Sequence, residues 1–394
     1  MLVPVVAAGL SVGFGFLGHH LHRQHLAQSD YSLRQMDLLL AVQAESTPSL
    51  PAEIPGPPPL PVAPSSAVDD GLPSSPASLA SQLLLLRQGR WSLDRPLRIF
   101  QLGDSHTAAD FFTERVRSRL QTQFGDGGIG WILPGRIDGQ SAARYDVVAS
   151  GSWVLNRGQQ RYADPNVPLG GVVNSGLPGA RLVVRPLVRG HGRWRFHAMV
   201  RRAPNASQAA NVRLFGANRQ TPVLAVGSDW QAVDLDTGAP LASRYGLEVT
   251  AGRVEVAGFW LENDRPGVVV DHVGRNGATL SAFDSWSDKA IRSQLSTRPV
   301  DAIVIAYGTN EAVDNIPFAD YSRRLSRVVS RLRAVAPGVE IVVVTAPSFA
   351  KGGGACPASR PRSLQSVISA QLAAGQWPGV QVWNWMDAMG GCVL

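Results

Sequence analysis

Leu97-Arg98-Ile99-Phe100-Gln101-Leu102 runs directly into Gly103-Asp104-Ser105-His106. An apolar run of strand length ends on Gly-Asp-Ser, and a helix-like pattern begins at once over 107–124. The spacing puts a hydroxyl at the C-terminal end of a strand and at the N-terminus of a helix. In open α/β sheets this is where ligands and reactive groups gather. The helix start also offers backbone N–H groups and a partial positive charge to an oxyanion. Ser105 is therefore a candidate nucleophile, and the rest of the chain can be searched for its partners.

Downstream, continuous apolar strands alternate with helical patterns. Strands are expected at 268–273, 302–307, 339–345 and 380–385. Helices are expected at 79–88, 280–295, 321–335 and 363–374. This alternation predicts a parallel sheet covered on both faces. Between the first strand–helix unit and the second the character changes. Short alternating runs at 145–148, 181–184, 194–200, 211–215, 222–226, 247–249 and 254–261, divided by Gly-, Pro- and Asn-rich turns, suggest a β-sandwich. The resulting division is 78–138 and 268–394 for an α/β domain and 139–267 for an inserted β-rich module. Its tryptophans Trp153, Trp194, Trp230 and Trp260 suit a sandwich core better than sugar stacking.

Three strand-to-helix junctions would meet at one sheet edge. They carry Gly103-Asp104-Ser105-His106, Gly274-Arg275-Asn276-Gly277-Ala278-Thr279 and Gly308-Thr309-Asn310-Glu311. Acyl transfer needs a nucleophile, a base, and donors for a tetrahedral oxyanion. Ser105 can supply the first. Its own N–H, the N–H of Gly277 and the Asn310 amide can supply the last. Glycine at 277 lets backbone approach substrate without a Cβ. Asp104 reads as a turn residue bonding nearby backbone N–H groups. His106 reads as lining the site, since adjacent helical side chains diverge. His272 reads as a core or rim histidine, and Glu311 as a helix cap.

These blocks resemble the SGNH (GDSL-like) hydrolase superfamily, whose Ser, Gly and Asn occur in this order; Ser105, Gly277 and Asn310 match them. The resemblance implies a flavodoxin-like three-layer α/β fold. The forms Gly-Asp-Ser-His and Tyr-Gly-Thr-Asn-Glu-Ala, with the β-rich insertion between, look most like bacterial peptidoglycan O-acetylesterases, whose inserted module resembles a carbohydrate-binding sandwich. The implied activity is removal of O-acetyl groups from peptidoglycan or a related envelope polysaccharide through a seryl-acyl intermediate, with no metal or organic cofactor. An O-acetyltransferase on the same site, or a non-catalytic glycan-binding protein, are the alternatives.

The departure from the superfamily is its last block, Asp-x-x-His, whose His is the base. The eight histidines are His19, His20, His22, His25, His106, His191, His197 and His272, and none follows Asn310. Asp387 has no histidine at the required spacing. The expectation is a C-terminally incomplete hydrolase domain with impaired turnover.

Composition bounds the setting. The chain has 394 residues, 44% hydrophobic, with a formal charge of +7. That is globular, and the bias is almost wholly arginine, with Lys289 and Lys351 the sole lysines. The arginines are scattered and no nucleic-acid motif accompanies them, which argues against nucleic acid as partner. Residues 1–28 read as a signal peptide or membrane anchor. Residues 29–77 read as a linker, rich in proline (Pro48, Pro51, Pro55, Pro57, Pro58, Pro59, Pro61, Pro64). The expected location is the periplasm or cell envelope. Cys356 and Cys392 could pair in such a compartment or remain separate thiols.

Overall fold

Five of the apolar runs pair as one parallel sheet. In the computed structural model, which describes residues 78–156, 166–349 and 360–391, the strands are β1 (Leu97–Gly103), β2 (Val268–Gly274), β3 (Ala302–Ala306), β4 (Glu340–Val344) and β5 (Val380–Trp383). Their order is β2-β1-β3-β4-β5, with every neighbour parallel. This is the flavodoxin-like order, with its switch point beside β1. β1 and β2 are buried along their whole length, as strands covered on both faces must be.

The helices are α1 (Leu79–Arg87), α2 (Ser105–Ala108), α3 (Phe111–Phe124), α4 (Asp288–Thr297), α5 (Thr309–Val313), α6 (Phe318–Val335), α7 (Leu364–Ala373) and α8 (Trp385–Ala388). Helix α6 buries Tyr321, Leu325, Val328, Val329, Leu332 and Val335, a stripe at three- and four-residue spacing.

The structure corrects three sequence expectations. The helix expected over 107–124 is broken into α2 and α3, because Asp110 takes a left-handed conformation, φ 58°. Tertiary bonds hold it there: Asp110 Oδ2 accepts from the Ala143 N–H at 2.9 Å, and Oδ1 lies 3.3 Å from Arg117 Nη2. The helix expected over 280–295 is a 3-10 turn (Leu280–Ser285) followed by α4, with Trp286 and Ser287 extended and Ser287 capping α4 through its hydroxyl. The last strand stops at Trp383, since Trp385 opens α8 with Asn384 as its cap.

The β-rich segment forms two six-stranded sheets. One contains Tyr145–Ser150, Arg181–Pro186, Ala210–Gly216, Leu224–Val226 and Tyr245–Ala251; the other is centred on the antiparallel pair Trp194–Arg202 and Val254–Asn263. Their facing side chains, among them Phe196, Leu214, Tyr245, Leu247 and Phe259, make one apolar core. Gly128–Ile132 also pairs with Val254–Asn263, although it precedes residue 139. Trp194 is buried in the sandwich core, while Trp230 and Trp260 join the core of the α/β part; Trp153 is half-buried.

Buried charge joins the two parts. Arg98 of β1 donates to both carboxylate oxygens of Glu262, at 2.8 and 2.6 Å. Arg298 donates to Glu262 Oε1 at 2.9 Å and bonds both oxygens of Asp271. Asp271 Oδ1 in turn accepts from the Trp131 N–H at 2.6 Å. Burial disfavours the Glu262 carboxylate, yet Arg298 and Arg98 outweigh it and hold its pKa down to about 2.

No helix among the described residues is long and apolar enough to cross a membrane. The expected signal or anchor, the linker, Cys356 and Cys392 lie outside the described residues.

Candidate active site

β1, β2 and β3 end level with one another: Gly103 pairs with Gly274 on one side and Ala306 on the other. The three glycine-bearing junctions of the sequence therefore leave the same edge of the sheet. Two of these glycines are needed for contact. A Cβ on Gly103 would overlap the Thr107 hydroxyl, and one on Gly274 would overlap the Ala108 backbone. Helix α2 thus lies directly on the ends of β1 and β2.

Ser105 is the first residue of α2, and Asp104 caps it. Asp104 Oδ1 accepts from the His106 N–H at 3.0 Å and lies 3.0 Å from His106 Nδ1. The expected turn role of Asp104 is thus visible, and the same carboxylate holds the imidazole. The edge of the His106 ring meets Trp385, with centroids 5.4 Å apart. Among the described residues nothing bonds the Ser105 hydroxyl or the N–H of Ser105.

The second loop is tied to the first by the Arg275 N–H, which donates to the Gly103 carbonyl at 3.1 Å. Gly277 sits in it at φ +72°, with open space where a Cβ would be. Its N–H has no partner among the described residues. The residues just before the sandwich brace this loop: Gln140 Nε2 donates to the Gly274 carbonyl at 2.8 Å, and Asn276 Nδ2 to the Gly139 carbonyl at 2.9 Å.

Asn310 is the second residue of α5. Its Nδ2 donates to the Ala278 carbonyl at 2.8 Å. That bond fixes which way the amide faces and leaves its second N–H to donate. Behind it Glu311, fully buried, accepts from the Leu280 N–H at 2.7 Å through Oε1, while Oε2 has no hydrogen-bond partner. Burial pushes its pKa up to about 7, and the nearby Asp104 charge adds to the rise. Glu311 is more than the helix cap expected from the sequence. A signal was present: a Glu three residues into a helix after a turn glycine commonly reaches back to backbone N–H groups.

The histidines separate clearly. His272 is buried; its Nδ1 accepts from Arg117 Nη2 at 3.0 Å, and it lies 3.4 Å from Asp110. Burial lowers its pKa, with Asp110 opposing and Arg117 reinforcing. It is a neutral core histidine whose acceptor nitrogen is already used. His197 stacks on Trp260 with centroids 4.8 Å apart, and burial lowers its pKa to about 4. His191 lies in the sandwich segment, where its carbonyl accepts from the Trp194 indole.

The arrangement offers one unengaged hydroxyl and three unengaged N–H donors on loops hydrogen-bonded to one another. That is the equipment for attack on a carbonyl and for holding the oxygen that becomes negative.

Residues 245–391 match the GDSL-like Lipase/Acylhydrolase family, and residues 127–242 match the family described as Peptidoglycan O-acetylesterase, N-terminal. A solved structure of a peptidoglycan O-acetylesterase is 30% identical, with a TM-score of 0.66, and the match covers 79% of this chain and 84% of that one. Family two carbohydrate esterases from Cellvibrio japonicus and Clostridium thermocellum also match, at 14% and 11% identity and TM-scores of 0.24 and 0.23, over 61% and 60% of this chain and 88% and 87% of theirs. No curated protein matches the chain. The three loops, the sheet order, the two family matches and the 30% identical peptidoglycan O-acetylesterase agree: the chain belongs to the GDSL-like lipase/acylhydrolase family, joined to a peptidoglycan O-acetylesterase N-terminal domain, and so to the carbohydrate esterases of that kind.

Proposed function

We propose that the protein is an exported serine esterase that removes O-acetyl groups from peptidoglycan or a related envelope polysaccharide. Ser105 is its nucleophile, and Gly277 and Asn310 are its oxyanion donors. The observation that carries this reading is the hydrogen-bonded union of three strand-end loops, with the Ser105 hydroxyl and the N–H groups of Ser105 and Gly277 left unengaged. In the first step the Ser105 oxygen bonds to the acetyl carbon. The carbonyl oxygen becomes an oxyanion held by the three donors. The bond to the sugar oxygen then breaks, that oxygen takes the serine proton, and acetyl-Ser105 remains. Water then bonds to the acetyl carbon, the bond to the Ser105 oxygen breaks, that oxygen takes a proton from the water, and acetate leaves.

The proton needs a carrier in each step. Among the described histidines, His272 is engaged with Arg117, and His191 and His197 belong to the sandwich segment; His106, its Nδ1 on Asp104, neighbours Ser105 on the helix, where adjacent side chains diverge. An envelope location and an N-terminal export segment belong to the same proposal, since the polymer is outside the cytoplasm.

The test is acetate release from O-acetylated peptidoglycan and hydrolysis of an aryl acetate, each with wild type and Ser105→Ala. Release that Ser105→Ala abolishes supports the reading. Release unchanged in Ser105→Ala overturns it. Tight binding to insoluble peptidoglycan without any release would favour a non-catalytic glycan-binding protein. Transfer of acetyl to a glycan hydroxyl instead of water would identify an O-acetyltransferase.

A further inference from the structure

We propose that Glu311 is a positioning residue of the oxyanion hole, holding the Gly277 loop in register with Asn310 through the Leu280 N–H. This rests on the acyl-transfer reading of Ser105. Two hydrogen bonds join the second and third loops. One is Asn310 Nδ2 to the Ala278 carbonyl, 2.8 Å; the other is the Leu280 N–H to Glu311 Oε1, 2.7 Å. They engage residues 278 and 280, on the stretch that follows Gly277. They leave from residues 310 and 311, adjacent in one helical turn. Together they fix both the distance and the twist between the loops, which a single bond could not. Gly277 contributes no side chain to hold itself, and a Cβ there would meet open space. Its N–H is aimed by whatever grips the residues beside it.

The cost of this grip marks it as purposeful. A carboxyl group is fully buried, with Oε2 unpartnered. Such a group is ordinarily selected against unless it does something. The backbone N–H groups of Gly308 and Glu311 lie near it without making hydrogen bonds, and they favour the charged form. Asp104 of the first loop, Tyr307 just after β3 and Tyr321 of α6 lie within reach of its charge. Arg275 of the second loop acts on Tyr307 in the same cluster. Glu311 thus touches the second loop directly and feels the charge of the first.

The experiment compares Glu311→Gln and Glu311→Ala with wild type, using the full chain. Amide hydrogen exchange reads the loop itself and needs no turnover. Leu280 is expected to lose at least tenfold of its protection in Glu311→Ala, with a smaller loss in Glu311→Gln, whose carbonyl can still accept. Aryl acetate kinetics read the consequence: kcat per folded molecule falls about 10- to 100-fold in Glu311→Ala with KM nearly unchanged, the size expected for a displaced catalytic donor, and Glu311→Gln recovers most of it. A purely structural role would lower the melting temperature but leave kcat per folded molecule where it was. Unchanged exchange at Leu280 in Glu311→Ala, or unchanged kcat in an active enzyme, overturns the proposal. Failure of the underlying esterase reading would show separately, as activity that survives Ser105→Ala.

Discussion

The side-chain amide of Asn310 donates to the main-chain carbonyl of Ala278 at 2.8 Å, so one N–H of that amide is committed to a loop and only the other faces outward. Asn310 therefore has two tasks, one chemical and one architectural. Asn310→Ala removes both, and kcat should fall about 100- to 1,000-fold, the size seen when one oxyanion donor is lost. Asn310→Asp should be as poor or worse, because it sets acceptors against the Ala278 carbonyl and the developing oxyanion. Aryl acetate kinetics on folded variants, verified by circular dichroism, check both.

The glycines of the second loop should separate by experiment. Gly277 sits at φ +72° with room for a methyl group, so Gly277→Ala incurs only backbone strain, about 1–2 kcal/mol. It should fold, melt somewhat lower, and lose activity as its N–H turns. Gly274 has the opposite problem: a methyl there would overlap the Ala108 backbone. Gly274→Ala should yield little soluble protein. Thermal melts and soluble yield tell the two apart.

Glu311 should make the fold less stable in base. Its pKa is raised by burial from 4.5 to about 7. The native state therefore holds a proton that the unfolded chain releases between those values. The associated stability is complete below about pH 4.5, declines through the interval and is gone above about 7; a shift of this size corresponds to about 3 kcal/mol. Glu311→Gln cannot titrate, so it should flatten this part of the curve and melt higher than wild type at pH 8. Chemical denaturation from pH 4 to 8 measures it.

Glu262 should behave in the contrary sense. Arg298 and Arg98 hold its carboxyl down to about 2 against the opposing effect of burial. Its contribution is present above the unfolded value near 4.5 and is lost as the pH falls toward 2. Glu262→Gln removes the charge between two buried guanidinium groups and should destabilise by about 3–5 kcal/mol at pH 7. Urea unfolding of wild type and variant at pH 7 and pH 3 should show a gap that narrows in acid.

The parallel sheet was readable because β1 to β4 are largely apolar runs of strand length, and those of β1, β2 and β3 lead into Gly103, Gly274 and Gly308. Ser105, Gly277 and Asn310 were readable because each follows such a strand directly. What escaped the sequence depended on distant partners. The break at Asp110 is stabilised by Ala143 and Arg117, and nothing local forecasts a left-handed aspartate there. Gly128-Ile129-Gly130-Trp131-Ile132 looks like a glycine-rich turn, yet it is a strand because Val254–Asn263 lies beside it to accept the pairing. Val173–Gly176 carries a polar, small-residue pattern and pairs with both Trp153–Asn156 and Val254–Asn263. The Glu311 to Leu280 bond spans two loops and has no sequence period to betray it.

The buried charges Arg98, Glu262, Arg298 and Asp271 reach from the middle of the parallel sheet into the longest strand of the sandwich. A joint built this way does not swing, since any rotation would strand unpaired ions away from water. The sandwich is then a fixed gauge and not a swivelling arm. Gly139 and Gln140, which lead into the sandwich and bond the loop of Gly274 and Asn276, are then held at a constant offset from Ser105.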